Sequence, residues 1–168
     1  MIKPQFYDKM KNIIAFTGHR PPKLGGYNPH VQARLVSLAE AAIERHKATS
    51  IISGMALGWD TAAAEAAILL GIPFDAAVPF KGQENRWPKS SQDKYHSLLL
   101  KASSVEIVGT SEYFRKAMQD RNEYMVDHCD LLLALWNGSR GGTFNCISYA
   151  KSQNKKYINL WSSWQKFK

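Results

Sequence analysis

Asp130-Leu131-Leu132-Leu133-Ala134-Leu135-Trp136 is the stretch that decides the fold. Five aliphatic side chains stand in a row, with no alternation. A strand with one face in water alternates apolar and polar residues; a strand covered on both faces does not. The run is also too short for an ordinary helix. It therefore predicts a central strand of a parallel sheet, with helices on both sides. The sequence after it agrees. Asn137–Gly142 is a Gly-rich turn, Thr143 reads as the cap of a helix to about Gln153, and Lys156–Leu160 reads as a last strand.

The same alternation extends back to the N-terminus. Ser111 reads as the cap of a helix to about His128, with Phe114, Met118 and Met125 inward. Before it come a strand at Val105–Val108 and a helix at Ser90–Lys101, with Tyr95, Leu98 and Leu99 on its apolar side. Ile72–Pro79 is a strand, and the Ala-rich helix ahead of it ends at Leu70, where Gly71 stops it. Thr49–Ile52 and Asn12–Phe16 are the first two strands in reverse order. Between them Asn28-Pro29 supplies an N-cap and N1 pair, followed by the stripe Val31, Leu35, Leu38, Ala42. Six strands alternating with helices predict one α/β domain, a Rossmann-like three-layer α/β/α arrangement with a mainly parallel sheet. The expected core spans about 12–160, and residues 1–11 and 162–168 read as peripheral.

The composition sets bounds on what the chain does. With 168 residues, 45% of them apolar and 21% charged, it has the make-up of a globular chain able to bury a core, not a disordered one. The N-terminal stretch lacks an apolar signal-peptide core and no apolar run approaches a membrane span, which predicts a cytoplasmic protein with no membrane partner. Cys129 and Cys146 show no metal-ligand spacing and fit a reducing compartment. His46, His96 and His128 form no coherent metal set, so no metal and no cofactor are expected. The net charge of +8 raises nucleic acid as a partner. Yet Lys151, Lys155, Lys156, Lys166 and Lys168 carry five of those units near the C-terminus, and the body alone is only +3.

In a doubly wound sheet, ligands bind beyond the carboxyl ends of the strands. The loops expected there are the least ordinary parts of this sequence. Gly18 follows the first strand, where a glycine permits a tight turn or close approach of a ligand; His19 and Arg20 then stand at the rim or in solvent. Gly54 and Gly58 lead into a helix. They match neither the P-loop nor the dinucleotide pattern, but an anion suits free N–H groups at a helix start. Asp60 is either that helix's N-cap or an acceptor for ribose hydroxyls. Asn137, Gly138, Gly141, Gly142 and Thr143 repeat the arrangement after the fifth strand. Arg121 lies near an apolar stripe beside Asn122, where a charge needs a pocket or a partner such as Asp127 or Asp130. Trp87 and Gln83 occupy a polar loop, where they either contact a base or cover a sheet edge. Cys146 reads as a small buried helix residue, and Trp161–Trp164 as a hydrophobic lid or a dimer contact.

These loops, taken in order, resemble the SLOG superfamily, which unites the DNA-processing protein A Rossmann domain with cytokinin-activating "lysine decarboxylase-like" proteins. The likeness is greatest to its uncharacterised YpsA-like branch. It is carried by Thr17-Gly18-His19-Arg20-Pro21, Ser53 through Asp60, Pro79-Phe80 with Gln83 and Trp87, and Tyr95. Arg121-Asn122 with Met125-Val126-Asp127, Asp130 through Gly138, and Gly141-Gly142-Thr143 with Asn145, Tyr149 and Ala150 complete it. The resemblance implies a Rossmann-like fold and a pocket for a nucleotide or nucleotide-derived ligand. The phosphoribohydrolases of this superfamily, and the similar nucleoside deoxyribosyltransferases, place a glutamate where this chain has Cys146. N-glycosidic cleavage needs a carboxylate at an oxocarbenium-like centre.

Three functional expectations follow. The first is a module that binds or senses a nucleotide-derived small molecule through Gly54, Gly58, Gly141, Gly142 and Thr143, with Arg20 and Arg121 neutralising charge and Trp87 and Gln83 at the base. The second is an N-glycosidic hydrolase or transferase, in which Arg121 orients phosphate and Asp60 acts at the anomeric carbon. The third is a single-stranded DNA binder, disfavoured by the dispersal of basic residues. Trp161 and the helix-rich faces suit a homodimer.

Overall fold

The computed structural model describes residues 10–109 and 114–167. Six strands form one sheet: β1 (Ile13–Gly18), β2 (Ser50–Ser53), β3 (Phe74–Val78), β4 (Ser104–Ile107), β5 (Leu131–Leu135) and β6 (Tyr157–Asn159). Their order is β4-β3-β2-β1-β5-β6, and every neighbouring pair is parallel. The helices are α1 (Pro29–Arg45), α2 (Trp59–Leu70), α3 (Lys89–Lys101), α4 (Phe114–Asp127), α5 (Gly142–Ser152) and α6 (Trp161–Lys166), with a short 3-10 turn at Pro21–Lys23. This is the Rossmann-like α/β fold.

The strand that announced the fold is buried along its whole length. Its side chains divide by parity, as the period of two requires. Leu131, Leu133 and Leu135 join Phe16, Ile51, Phe74 and the helices α1 and α2 on one face. Leu132 and Ala134 join Ala15, Ile52, Ala77 and helices α4 and α5 on the other. Helix α2 is buried almost all round, because alanines at 62, 63, 64, 66 and 67 let it lie close to the sheet while α1 packs over it. Alanine also favours the helix intrinsically.

Several local expectations are corrected. Strand β1 runs on through Thr17 and Gly18, which pair with Ala134 and Leu135. Thr143 is not a cap: Gly141 holds that position with no side-chain cap bond, and Thr143 is buried in the first turn. Asp60 likewise lies inside α2, whose N-cap is Gly58. Ser111 lies outside the described residues. Met125 is in the core, whereas Phe114 is 59% exposed. Nor is the C-terminal segment peripheral. Trp164 is buried beneath Arg34, whose guanidinium lies 4.3 Å from the ring centroid. Arg34 Nε also donates to the Phe167 carbonyl at 3.0 Å. The Asn28 cap is as expected, its side chain accepting from the His30 N–H at 2.8 Å.

Candidate functional site

From β1 the chain builds outward through β2, β3 and β4, then returns to β5 on the other side of β1. The loops leaving β1 and β5 therefore diverge, and a crevice opens between them. It is a cleft of about 440 Å³. Its floor is Thr17, Asp60 and Arg121, and one wall is the start of α5 at Gly141–Thr143. Phe114 and Met118 of α4 form another, and Arg20, Lys23 and Arg140 add charge. Among the described residues, four cations thus line it against one carboxylate.

Two clasps hold the mouth. His19 Nε2 lies 2.8 Å from Asn137 Oδ1 and 3.0 Å from the Asn137 nitrogen, tying the end of β1 to the turn after β5. Lys23 Nζ donates to Ser139 Oγ at 2.7 Å. Burial pulls the His19 pKa below its ordinary value; the Asn137 bond opposes this, and Lys23 adds to it. The buried ring is a neutral bridge, packed edge-on against Trp161.

Arg121 is the unusual group. Its residue is only 5% exposed. Nη1 donates to the Gly54 carbonyl at 2.6 Å and Nε to Asn122 Oδ1 at 3.3 Å. The contact of Nη2 is the soft sulfur of Met118 at 4.0 Å. Among the described residues Arg121 forms no direct ion pair. Asn122 passes the connection on, donating from Nδ2 to the Gly142 carbonyl at 3.3 Å.

Asp60 faces the guanidinium across Gly54. A Cβ built on Gly54 would stand 2.5 Å from Arg121 Nη1 and 2.8 Å from Asp60 Oδ2. The missing side chain is therefore the space those two charged groups occupy. Burial pushes the Asp60 carboxyl up to about 6, against the pull of Arg121, the Ala56 N–H and Arg20. Burial likewise lowers Arg121, with Asp60 opposing most strongly. At neutral pH this floor holds a carboxylate close to its titration point beside a guanidinium whose Nη2 meets only a thioether sulfur among the described residues.

The remaining sequence candidates divide. Gly18 lines the cleft, but a Cβ there would strike Trp59 at 2.6 Å, so the Trp59 ring accounts for that glycine. Gly58 does not open to the cleft. Its Cβ would meet the His19 carbonyl at 2.6 Å, and it lines a neighbouring cavity of about 270 Å³ instead. Gln83 stands behind the Gly54 loop, donating to the Gly54 and Met55 carbonyls and to Tyr95 Oη. Trp87 packs edge-on against Tyr95 at 5.2 Å. Gly138 and Asn145 are exposed and outside the lining. Sequence reading missed Lys23, Ser139, Arg140 and Met118 as lining groups. Arg140 was the legible one, since it directly precedes the two glycines.

Cys146 of α5, at the position where the resemblance implies a glutamate in the superfamily's enzymes, is fully buried among residues of α4 and the sheet. Burial pushes its thiol up to about 12, so it is neither an acid nor a thiolate nucleophile at neutral pH. No helix of the described residues is long and apolar enough to cross a membrane.

The family model described as YspA SLOG family matches residues 14–162. The uncharacterized SPbeta prophage-derived protein YoqJ of Bacillus subtilis is 32% identical over 146 residues, covering 76% of this chain and 84% of that protein. Among solved structures, DNA processing protein A of Streptococcus pneumoniae matches with a TM-score of 0.63 at 19% identity, over 88% of this chain. The chain spans about half of that protein, 49% of its length. DNA processing protein A of Helicobacter pylori, described for its single-stranded DNA binding mode, matches at 0.62 and 18% identity, over 87% of this chain and 63% of that one. The molybdenum cofactor carrier protein of Chlamydomonas reinhardtii matches at 0.58 and 16% identity, over 94% of this chain and 82% of that one. At these identities the structural likenesses speak to the fold.

Proposed function

The chain belongs to the YpsA family of the SLOG superfamily, and from that premise we propose that its strand-end cleft binds a phosphate-bearing nucleotide or nucleotide-derived small molecule. The observation that carries the reading is Arg121. A guanidinium 95% out of solvent, without an ion-pair partner among the described residues, is costly to the fold unless something else uses it. An anion entering the cleft would meet its Nη2 at the floor, where the weak Met118 sulfur is its partner. It would meet the uncapped start of α5 at one wall, where backbone N–H groups and the helix dipole favour negative charge. Arg20, Lys23 and Arg140 add long-range attraction.

Titration calorimetry with nucleoside monophosphates tests this. Binding that Arg121→Ala weakens by roughly a hundredfold is expected for a lost charge-assisted contact. Absence of binding by any nucleotide would remove the reading. A single-stranded oligonucleotide that binds in strict preference to every mononucleotide would move the ligand from small molecule to polymer, and its affinity should then fall steeply with salt.

One observation favours a second reading, in which the cleft cleaves or transfers at an N-glycosidic bond. Asp60 is the carboxylate on its floor, and a group titrating near 6 suits proton transfer at neutral pH. Release of free base from nucleoside monophosphates, abolished by Asp60→Asn with folding intact, is the outcome that supports it. No release, or release unchanged by Asp60→Asn, removes Asp60 as an acid or base.

A further inference from the structure

The first described residue of helix α4 is an aromatic left largely open. Phe114 is 59% exposed, in contrast to the core residues of the same helix, Ala117, Met125 and Val126. Phe114 and Met118 stand one helical turn apart, and both line the cleft. Arg121 follows on the same face, with Met118 Sδ against its guanidinium. The helix thus carries a graded stripe into the site: an open aromatic ring at one end, a flexible thioether next, a buried cation last. Phe80, from the loop after β3, backs the aromatic end, its ring centroid 5.3 Å from that of Phe114 at 55°.

Apolar surface left open beside four cations gains nothing from folding and is not a place for a bare inorganic anion. Its chemistry matches a ligand with two ends, one anionic and one flat and apolar. Ligand sites commonly combine an apolar lining with a few convergent polar groups. Phe114, tilted against Phe80 and still open, offers aromatic surface on which a flat ring can stack.

Deepening the phosphate reading above and resting on it, we propose that Phe114, backed by Phe80 and continued by Met118, is the subsite for a planar heteroaromatic ring carried on the phosphate-bearing ligand. The ring lies on α4, and the phosphate sits toward Arg121 and the start of α5. This assigns ring recognition to the α4 wall and away from Trp87 and Gln83, which are engaged with Tyr95 and the Gly54 loop.

The test compares adenosine monophosphate with ribose 5-phosphate, which lacks the ring, on the full chain. Phe114 is largely exposed and its ring contact is with Phe80, so Phe114→Ala should lower the denaturant midpoint only slightly. It should weaken adenosine monophosphate roughly tenfold, the range seen for lost base–aromatic stacking, and leave ribose 5-phosphate unchanged. Phe114→Tyr should restore the difference. If the two probes weaken in step, or if neither changes, the ring subsite is overturned while the phosphate reading stands. If neither probe binds the wild-type chain, the phosphate reading falls and takes the ring subsite with it.

Discussion

The two glycine-rich turns that lead from a strand into a helix look alike in sequence and do opposite things in space. At Gly54–Gly58, the glycines are occupied from within. Arg121 and Asp60 fill the position of a Gly54 side chain, and the His19 carbonyl fills that of Gly58. The start of α2 is closed by its own chain: Trp59 N–H reaches the His19 carbonyl, and the Ala56 N–H meets the Asp60 carboxylate. At Gly141–Gly142, no described residue stands within 4 Å of either Cβ position and no side chain caps α5, although the positive φ of Gly141 itself favours glycine. A glycine can make room for the protein or leave room for something else. The first kind is an element of stability, and the second is where a ligand has space.

The largest effect expected from this difference is on Gly54. A methyl group there must displace a buried guanidinium and carboxylate that are held by bonds to the Gly54 carbonyl and the Ala56 N–H. Overpacking joined to a broken buried charge arrangement costs roughly 3 kcal/mol or more. Gly54→Ala should therefore lower the denaturant midpoint strongly, as followed by urea unfolding. A midpoint within error of wild type would mean that the Gly54 loop yields, and that the two turns are alike after all.

The closed turn also has a pH signature. Burial holds the Asp60 carboxyl up at about 6 in the folded chain, above the ordinary aspartate value of 3.8. The folded state therefore keeps a proton between about pH 4 and 6 that the unfolded state releases. The stabilisation is complete below the unfolded value and is lost as pH rises through 6. Two pKa units amount to roughly 3 kcal/mol. Unfolding free energies of the wild type and Asp60→Asn should converge at low pH, and only the wild type should lose this increment between pH 4 and 7. Parallel profiles for the two proteins would show that Asp60 is not the buried acid described.

These assignments also show what the sequence could and could not tell. The fold was legible because burial on both faces writes itself into composition: Leu131–Leu135 needed no partner to be read as a central strand. The switch point was not: alternation predicts parallel strands but not their order, and only the structure sets the end of β1 beside β5 and its turn. The contents of the cleft were legible in part. Arg121 was flagged because a charge in an apolar stripe asks for a reason. Phe114 and Met118 were read as core, since helical period gives a face but not what that face meets. For Gln83 and Trp87 the polar loop left two readings, contact with a base or cover of a sheet edge; in the structure Gln83 braces the Gly54 loop and Trp87 packs on Tyr95. Capping went astray at both glycine turns. Thr143 and Asp60 are good cap residues by type, yet each stands one or two places inside a helix that a glycine begins.

The smallest effect, and the most discriminating, belongs to the open turn. Gly142 has no left-handed backbone to maintain and open space over its Cα. In the first turn of a helix, alanine is at least as favourable as glycine, so Gly142→Ala should leave stability unchanged or raise it by up to about 1 kcal/mol. The same methyl group would stand at the helix start where we place the phosphate, and should weaken adenosine monophosphate roughly tenfold, about 1.4 kcal/mol. Stability and affinity thus move in opposite directions, which a merely disruptive substitution cannot produce. Calorimetric titration beside urea unfolding reads both. Retained affinity would leave Arg121 as the anchor and remove the α5 start from the site. A loss of stability would show that Gly142, like Gly54, is already spoken for by the fold.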